Sequence, residues 1–396
     1  MKKIVIIGAG IIGLSLAREF LRRGHKKVLI LEKEKEIALH QSSRNSGVIH
    51  SGLYYKPGSL KSKLCREGIK LMKNYCDKQK IKWDQCGKIV VAKNSSEDGR
   101  LNKLFERGEK NKLIGIEKIG SSKISKLEPY VRAFNAIYVP EESIVNYKEV
   151  AKAYLDEILS RGGFVKYSAK VKKIQDRNNK KIIVLDNDEI FDADIAISSA
   201  GIYSDKITEM MGIDIDKQKI LPFRGEYYLL KKEYRYLVNG LIYPVPDPTF
   251  PFLGVHFTKM INGYVEAGPN AVLALAREGY NWKKINFAEL YESVTYKGLR
   301  RFIAKYPFIT LGEISRSLSK SLFINSLKEL IPDVKENMFY RGSSGIRAQL
   351  MNSDGNLVQD FKIMIRDNSI SILNAPSPAA TSSLAIAKYV ANYLDL

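Results

Sequence analysis

The sequence predicts an α/β fold built on a parallel sheet, interleaved with an α+β unit on a mixed or antiparallel sheet. Three observations predict it. Ile4-Val5-Ile6-Ile7 is an unbroken apolar run of strand length, the pattern of a strand buried on both faces of a parallel sheet. A glycine turn, a helical stretch and a second apolar strand follow within about thirty residues, which makes a βαβ unit. A group of β-patterned runs between Lys219 and Gly268 marks a second sheet further along the chain.

The elements follow in order. Gly8-Ala9-Gly10-Ile11-Ile12-Gly13 joins the first strand to a helix over Leu14–Arg23, which Gly24 ends. Lys27–Glu32 is the second strand. His40–Tyr55, HQSSRNSGVIHSGLYY, has almost no hydrophobic period and reads as a loop. Gly68–Tyr147 mixes helix and strand, with a polar loop at Asn94–Gly99. Tyr147–Gly162 is an amphipathic helix. Phe164–Lys173 and Ile182–Leu185 form a hairpin across the turn Asp176–Asn179. Ile190–Ala200 ends in another buried parallel strand. Gly225–Leu230 and Tyr264–Ala267 are strands of the second sheet. Asn281–Tyr306 is helical, strands return after Met338, and a helix over Thr381–Leu394 closes the chain. No internal repeat or low-complexity linker separates these elements. The domains are therefore expected to alternate along the chain. Residues 1–75, 148–215 and 335–396 form the first, and residues 76–147 and 216–334 form the second.

The chain has 396 residues, enough for two or three domain-sized units. Its three cysteines form no CxxC pair and no zinc pattern, which reads as reduced thiols in a cytoplasmic protein without a metal site. The net charge is +21, from 64 basic and 43 acidic residues. The lysines are scattered in pairs, with no arginine-rich arm, which argues against nucleic acid as a partner. The charge leaves open an anionic substrate and a peripheral contact with the inner face of the cell membrane. The apolar run Ile4–Ala17 is broken by regularly spaced glycines and followed by Arg18-Glu19. It is neither a secretory signal nor long enough to span a bilayer. Nothing in the sequence addresses oligomeric state.

The glycine turn fits GxGxxG in its required context, after a strand and opening a helix. Gly8 allows the tight turn, Gly10 lets backbone approach a pyrophosphate, and Gly13 lets the helix pack on the strand. The N–H groups of Ile11 and Ile12 lie at the helix N-terminus, which favours phosphate. Glu32, with Lys33 beside it, ends the second strand and suits a ribose diol. An acid there disfavours a 2′-phosphate, so the unit is Rossmann-like and its ligand is not NADP. A nicotinamide enzyme of this kind continues winding its sheet after Glu32. Here the chain instead enters Ser42, Ser43, Arg44, Asn45, Ser46 and Gly47, small polar residues suited to a second phosphate and a ribityl chain. FAD is the expected cofactor.

At these residues, and again at Ser198–Ser204 with its Ala200-Gly201 pair, the chain resembles the D-amino-acid-oxidase-like FAD family. That family includes glycine oxidase and glycerol-3-phosphate dehydrogenase. Five further stretches resemble the L-2-hydroxyglutarate dehydrogenase/oxidase branch, in order over nearly the whole chain. They are LPFRGEYY (Leu221–Tyr228), LIYPVPDPTFPFLGVHFT (Leu241–Thr258), GPNAVLA (Gly268–Ala274), GIRAQ (Gly345–Gln349) and LNAPSPAATSSLAIA (Leu373–Ala387). The resemblance implies oxidation of L-2-hydroxyglutarate to 2-oxoglutarate by hydride transfer from C2 to flavin N5. It also implies electron transfer onward to a respiratory quinone or oxygen, with the FAD linkage noncovalent or unassigned. Val171 and the turn Pro378-Ala379-Ala380-Thr381 join the expected cofactor contacts.

Such a substrate is a small dicarboxylate with a hydroxyl to be deprotonated. It requires cations for the carboxylates and a base. Arg347 in GIRAQ matches the family's substrate-binding arginine, and guanidinium pairs with carboxylate in a planar fork. Arg224 is a candidate for the second carboxylate or a flavin edge. His50 is the first candidate for the base, because an imidazole titrates near neutral pH. His256 competes with it, as base or carboxylate ligand. Two alternatives accompany this reading. The same fold acts on another 2-hydroxy acid, an amino acid or glycerol 3-phosphate; or the chain binds a nucleotide without catalysis and attaches to membrane or nucleic acid.

Overall fold

A computed structural model of the chain describes residues 2–247 and 252–394. Pro248, Thr249, Phe250 and Pro251, within the quoted Leu241–Thr258 stretch, lie outside the described residues.

The apolar run Ile4–Ile7 forms a fully buried strand inside a six-stranded sheet. In spatial order the strands are Lys362–Arg366, Ser369–Asn374, Ile195–Ser198, Ile4–Ile7, Val28–Leu31 and Phe164–Lys166. All pairings are parallel except the first, which is an antiparallel hairpin. Helices Ile11–Arg22, Tyr147–Ser160 and Ser383–Tyr393 cover one face, burying Leu14, Phe20, Tyr154, Ile158 and Val390 against Ile4 and Ile6. A three-stranded antiparallel sheet, Val171–Arg177, Lys180–Leu185 and Ile190–Ala193, covers the other face. Ile4–Ile7 connects to Val28–Leu31 on one side and has Ile195–Ser198 on the other. Its C-terminal end is therefore the switch point at which open α/β sheets bind ligands.

Three local expectations are revised. The hairpin turn shrinks to Asn178-Asn179, both left-handed with φ of 51° and 59°, which suits a two-residue turn. Phe164–Lys166 leaves that hairpin and pairs with Val28–Leu31 instead. The stretch Asn94–Gly99 is a helix start rather than a loop. Asn94 Oδ1 accepts the Glu97 N–H at 3.1 Å, and the Glu97 carboxylate accepts the Lys93 N–H at 2.9 Å, opening the helix Ser95–Lys110. Its polar residues satisfy the free N–H groups of a first turn.

Among the described residues the second sheet has nine strands and is mostly antiparallel. Its long pair is Lys219–Leu230 against Phe339–Met351, which sets Phe223 opposite Arg347 and Arg224 opposite Ile346. Phe339–Met351 thus belongs to the second sheet, although it falls within the expected first-domain segment 335–396. The chain returns to the six-stranded sheet only at Lys362. A small third sheet joins Val48–Ile49 to Ser143–Val145 and Trp83–Asp84, pairing Ile49 with Ser143. No described helix is long and apolar enough to cross a membrane.

Candidate active site

A cavity of about 1000 Å³ runs from the switch point to the face of the second sheet. At one end are Gly8, Gly10, Ile11, Ile12, Glu32 and Lys33. Gly8 has φ of +105°, and a Cβ there would lie 2.6 Å from the Ser199 carbonyl oxygen. Gly13 does not line the cavity. A Cβ on it would sit 1.9 Å from the Gly8 oxygen, so it acts by closing the helix onto the turn. Gly10 is the N-cap of Ile11–Arg22 and supplies no side-chain cap, which leaves that terminus to a ligand and to Ser42. Ser42 Oγ accepts the Ile11 N–H at 2.9 Å. The Glu32 carboxylate accepts N–H groups from Ala9 at 2.7 Å and Glu34 at 2.9 Å, which fixes it at the strand end.

The middle wall comes from Ser42, Arg44, Asn45, Ser46 and Gly47, with Val171, Ala200 and Gly201 opposite. Ser43 is the exception and serves the turn, its N–H bonded to the His40 carbonyl at 3.1 Å. Asn45 ties the loop together, donating to the Gln41 and Ser42 carbonyls and accepting the Gly47 N–H, each at 2.9 Å. The Arg44 guanidinium lies over the Tyr280 ring at 4.1 Å. Glu34, His40 and Glu278 converge nearby. The Lys33 ammonium bonds both carboxylates, so a lysine compensates the cluster's charge.

Pro378, Ala379, Ala380 and Thr381 close the far end. Thr381 Oγ1 accepts the His50 N–H at 3.1 Å and meets the Tyr147 hydroxyl at 2.9 Å, tying the C-terminal turn to the His50 strand. His50, Tyr54, Lys61, Tyr227, Tyr243, His256 and Arg347 line this part of the cavity.

His50 Nδ1 faces Glu142 Oε2 at 3.7 Å, and neither atom has a hydrogen-bond partner. The Ile49–Ser143 pairing of the small sheet puts these two residues side by side. Glu142 is fully buried. Its other oxygen accepts from Ser51 Oγ at 2.7 Å and pairs with the buried Lys88 ammonium. Burial opposes its charge, but Lys88, His50 and Ser51 hold its carboxyl below the usual range. Burial pushes the His50 pKa down to about 4 against the pull of Glu142, with Lys88 and Lys61 pushing the same way as burial. His50 is thus a neutral imidazole at neutral pH, and it lines the cavity. His256 is stacked on Tyr243 at 3.8 Å, and its Nδ1 is held by the Gly254 carbonyl at 2.8 Å. Burial lowers its pKa to about 3; the Gly254 carbonyl opposes this, while Arg347, His50 and Lys88 add to it.

These two shifts have a stability consequence. Both folded values lie below the unfolded value of about 6.5. The unfolded chain therefore binds more protons once pH drops below about 6.5, and stability is lost as pH falls towards the folded values. Each histidine removes up to about 1.4 kcal/mol per pH unit in that window. Thermal melts should show a lower Tm at pH 5 than at pH 7, with a smaller drop in His256→Gln. An unchanged drop in that variant would contradict this assignment.

Arg347 reaches the cavity with its guanidinium 5.3 Å from the Phe252 ring centroid, and no carboxylate pairs with it among the described residues. Burial lowers its pKa, with Tyr227, Glu313 and Tyr243 opposing. Arg224 does not join it. Opposite residues of an antiparallel pair share a face, so Arg347 lies with Phe223, and Arg224 lies with Ile346 on the other side. Arg224 is fully buried, paired with Glu226 at 3.1 Å and stacked on Trp282 at 4.5 Å. It does not line the cavity. Beside His50 at this end of the cavity stands another cation, Lys61, at the start of the helix Leu60–Gln79. It is buried, has no ion pair among the described residues, and is pushed down to about 8 by burial, with Asp360 and Cys65 opposing. Glu142, Lys88 and Lys61 were missed from the sequence, where each is one ordinary charge among many.

The donor set fits FAD. A glycine-framed helix N-terminus and an acid at the strand end lie at one end, and a long cavity wall connects them to a second helix start. The volume is at the upper end of small-molecule sites, which span roughly 300–1,000 Å³. The FAD dependent oxidoreductase family model matches residues 3–393. An L-2-hydroxyglutarate dehydrogenase of Indibacter alkaliphilus is 48% identical over 385 residues, covering 97% of this chain and 96% of its own. The mitochondrial L-2-hydroxyglutarate dehydrogenases of Caenorhabditis elegans and Homo sapiens are 44% and 41% identical, covering 98% of this chain and 92% and 88% of theirs. Among solved structures, a dithionite-reduced L-alpha-glycerophosphate oxidase from Mycoplasma pneumoniae with FAD bound covers 100% of this chain and 95% of its own, with a TM-score of 0.81 at 21% identity. That likeness speaks to the fold. Site, family model and relatives lead to one conclusion: the chain belongs to the FAD-dependent oxidoreductase family and, within it, to the L-2-hydroxyglutarate dehydrogenases.

Proposed function

We propose that this chain oxidises L-2-hydroxyglutarate to 2-oxoglutarate, with His50 taking the hydroxyl proton while Arg347 and Lys61 hold the two carboxylates. The observation that carries the reading is the pair of carboxylate-free cations, Lys61 buried and Arg347 half-buried, lining the same cavity as a histidine backed by Glu142. FAD, when bound, supplies the two-electron acceptor for the C2 hydrogen. Gly8, Gly10, the N–H groups of Ile11 and Ile12, and Glu32 would hold its phosphates and ribose, and Ser42–Gly47 and Pro378–Thr381 would line the rest. Electrons leave to a quinone or oxygen.

His50 is the better base because its protonated form has a carboxylate beside it, whereas protonating His256 is opposed by Arg347. Purified yellow protein mixed anaerobically with L-2-hydroxyglutarate should lose its flavin absorbance. Retention of that absorbance, with bleaching by a different hydroxy or amino acid, would overturn the substrate assignment.

Glu142 acts here as a positioning residue. Glu142→Gln should lower kcat about 10- to 100-fold and move the acid limb of the pH profile to lower pH, because a stabilising charge is removed from the imidazolium. It also leaves Lys88 buried and unpaired, a cost of about 3–5 kcal/mol. The double variant Lys88→Met with Glu142→Gln should recover stability but not kcat. Recovery of both would reduce Glu142 to a structural role. On the alkaline side, kcat/KM should fall as pH rises through about 8, where Lys61 loses its charge. Lys61→Arg should move that limb upward, and an unmoved limb would exclude Lys61.

A further inference from the structure

Residues 275–282 join the strand Val272–Leu273 of the second sheet to the helix Phe287–Thr295. Among the described residues this segment belongs to no helix and pairs with no strand, yet Ala276, Arg277 and Gly279 are buried. What fixes it is a set of side-chain bonds that run in three directions. Arg277 reaches one wall of the cavity. Its guanidinium makes a fork on the buried Asp205 carboxylate, with bonds of 2.7 and 2.8 Å, and donates to the Ile202 carbonyl at 2.5 Å. Ile202 follows directly on the Ala200-Gly201 pair of that wall.

Glu278 and Tyr280 reach the opposite wall. Glu278 pairs with the Lys33 ammonium at 2.5 Å. The Tyr280 hydroxyl meets His40 Nδ1 at 2.6 Å, and its ring lies under the Arg44 guanidinium. The backbone between these side chains is held from the second sheet. The Gly279 carbonyl accepts from Arg224 at 3.3 Å, and the Tyr280 carbonyl accepts from Ser344 Oγ at 2.5 Å, both donors standing on the long strand pair. Lys33, His40, Arg44, Ile202 and Glu278 all line the cavity. A segment fastened to both of its walls therefore crosses it, at the end where Glu32 stands. A plain connection between a strand and a helix needs no such fastening. Here four successive residues bond to two walls and a sheet that come from different parts of the chain.

We propose that residues 275–282 are a latch across the cofactor site: FAD enters and leaves when Arg277 lets go of Asp205 and Tyr280 lets go of His40. Arg224 acts through this latch, gripping Gly279 from the second sheet while standing outside the cavity lining. The latch has a kinetic signature. Release and uptake both pass through the open state, so loosening the latch speeds both. A residue that only touched the bound cofactor would act on release alone.

The test is the exchange of bound FAD for excess radiolabelled FAD in the full-length holoenzyme, with the equilibrium Kd for FAD measured alongside. Arg277→Met combined with Asp205→Asn removes the fork without leaving one buried charge unpaired. The asparagine still accepts the Ile220 N–H that Asp205 accepts at 3.2 Å. Tyr280→Phe is a milder second variant that removes only the hydroxyl contact with His40. Exchange should speed up by about tenfold or more in the double variant and by about threefold in Tyr280→Phe, the scale of losing charge-assisted and neutral hydrogen bonds. In each, Kd should rise by a smaller factor than the exchange rate. Wild-type exchange in both variants overturns the proposal. So does a rise of exchange rate and Kd in equal proportion, which would make these residues cofactor contacts or supports of the fold. The measurement uses no substrate, so it stands apart from the substrate assignment.

Discussion

Arg347→Ala is expected to lower kcat/KM by about 30- to several-thousand-fold, the equivalent of 2–5 kcal/mol for losing one side of a buried charge-assisted pair. The loss should appear mostly in KM and in the affinity for 2-oxoglutarate, while FAD stays bound. The reason is geometric. Arg347 lines the cavity from the second sheet and makes no ion pair among the described residues, so the substrate would be its partner. Arg347→Lys should recover only part of the activity, because ammonium keeps the charge but not the planar fork. Equilibrium binding of 2-oxoglutarate checks the assignment. Wild-type affinity in Arg347→Ala would remove the residue from substrate binding.

His50→Gln is expected to slow anaerobic flavin reduction by about 10²- to 10⁴-fold, the range for losing a positioned general base. Substrate affinity should change little, because Arg347 and Lys61 remain. The same experiment on His256→Gln separates the two histidines. A neutral His256, stacked on Tyr243 and held by the Gly254 carbonyl, should affect rate by a smaller factor. Should His256→Gln abolish reduction and His50→Gln leave it near wild type, the two roles are exchanged.

The first unit of this fold was legible because its signals are local. A buried strand, three glycines and a helix lie within two dozen residues, and each glycine does a different job that spacing alone specifies. The loop after Glu32 was legible for a related reason: its small polar residues had no use in a helix or strand. Arg224's place away from the cavity lining was not legible because sequence carries no register. Its side of the strand is decided by the pairing of Phe223 with Arg347, across more than a hundred residues. Glu142 and Lys88 were invisible for the same reason. Their meeting with His50 depends on a two-residue strand, Val48–Ile49, pairing with Ser143–Val145. Asn94–Gly99 was misread through composition, since the residues that cap a helix are also those that fill a loop. Phe339–Met351 was assigned to the wrong unit because a strand pattern does not say which sheet it joins.

The proposed arrangement has two cations holding a dicarboxylate with its hydroxyl at His50. It is tested most directly by anaerobic stopped-flow reduction with L-2-hydroxyglutarate, D-2-hydroxyglutarate and L-2-hydroxybutyrate, which lacks the second carboxylate. L-2-hydroxyglutarate should reduce the flavin at least about a hundredfold more efficiently than the monocarboxylate, since an unpaired buried cation costs several kcal/mol. Lys61→Met should narrow that gap. Equal efficiency for the dicarboxylate and the monocarboxylate would contradict the account.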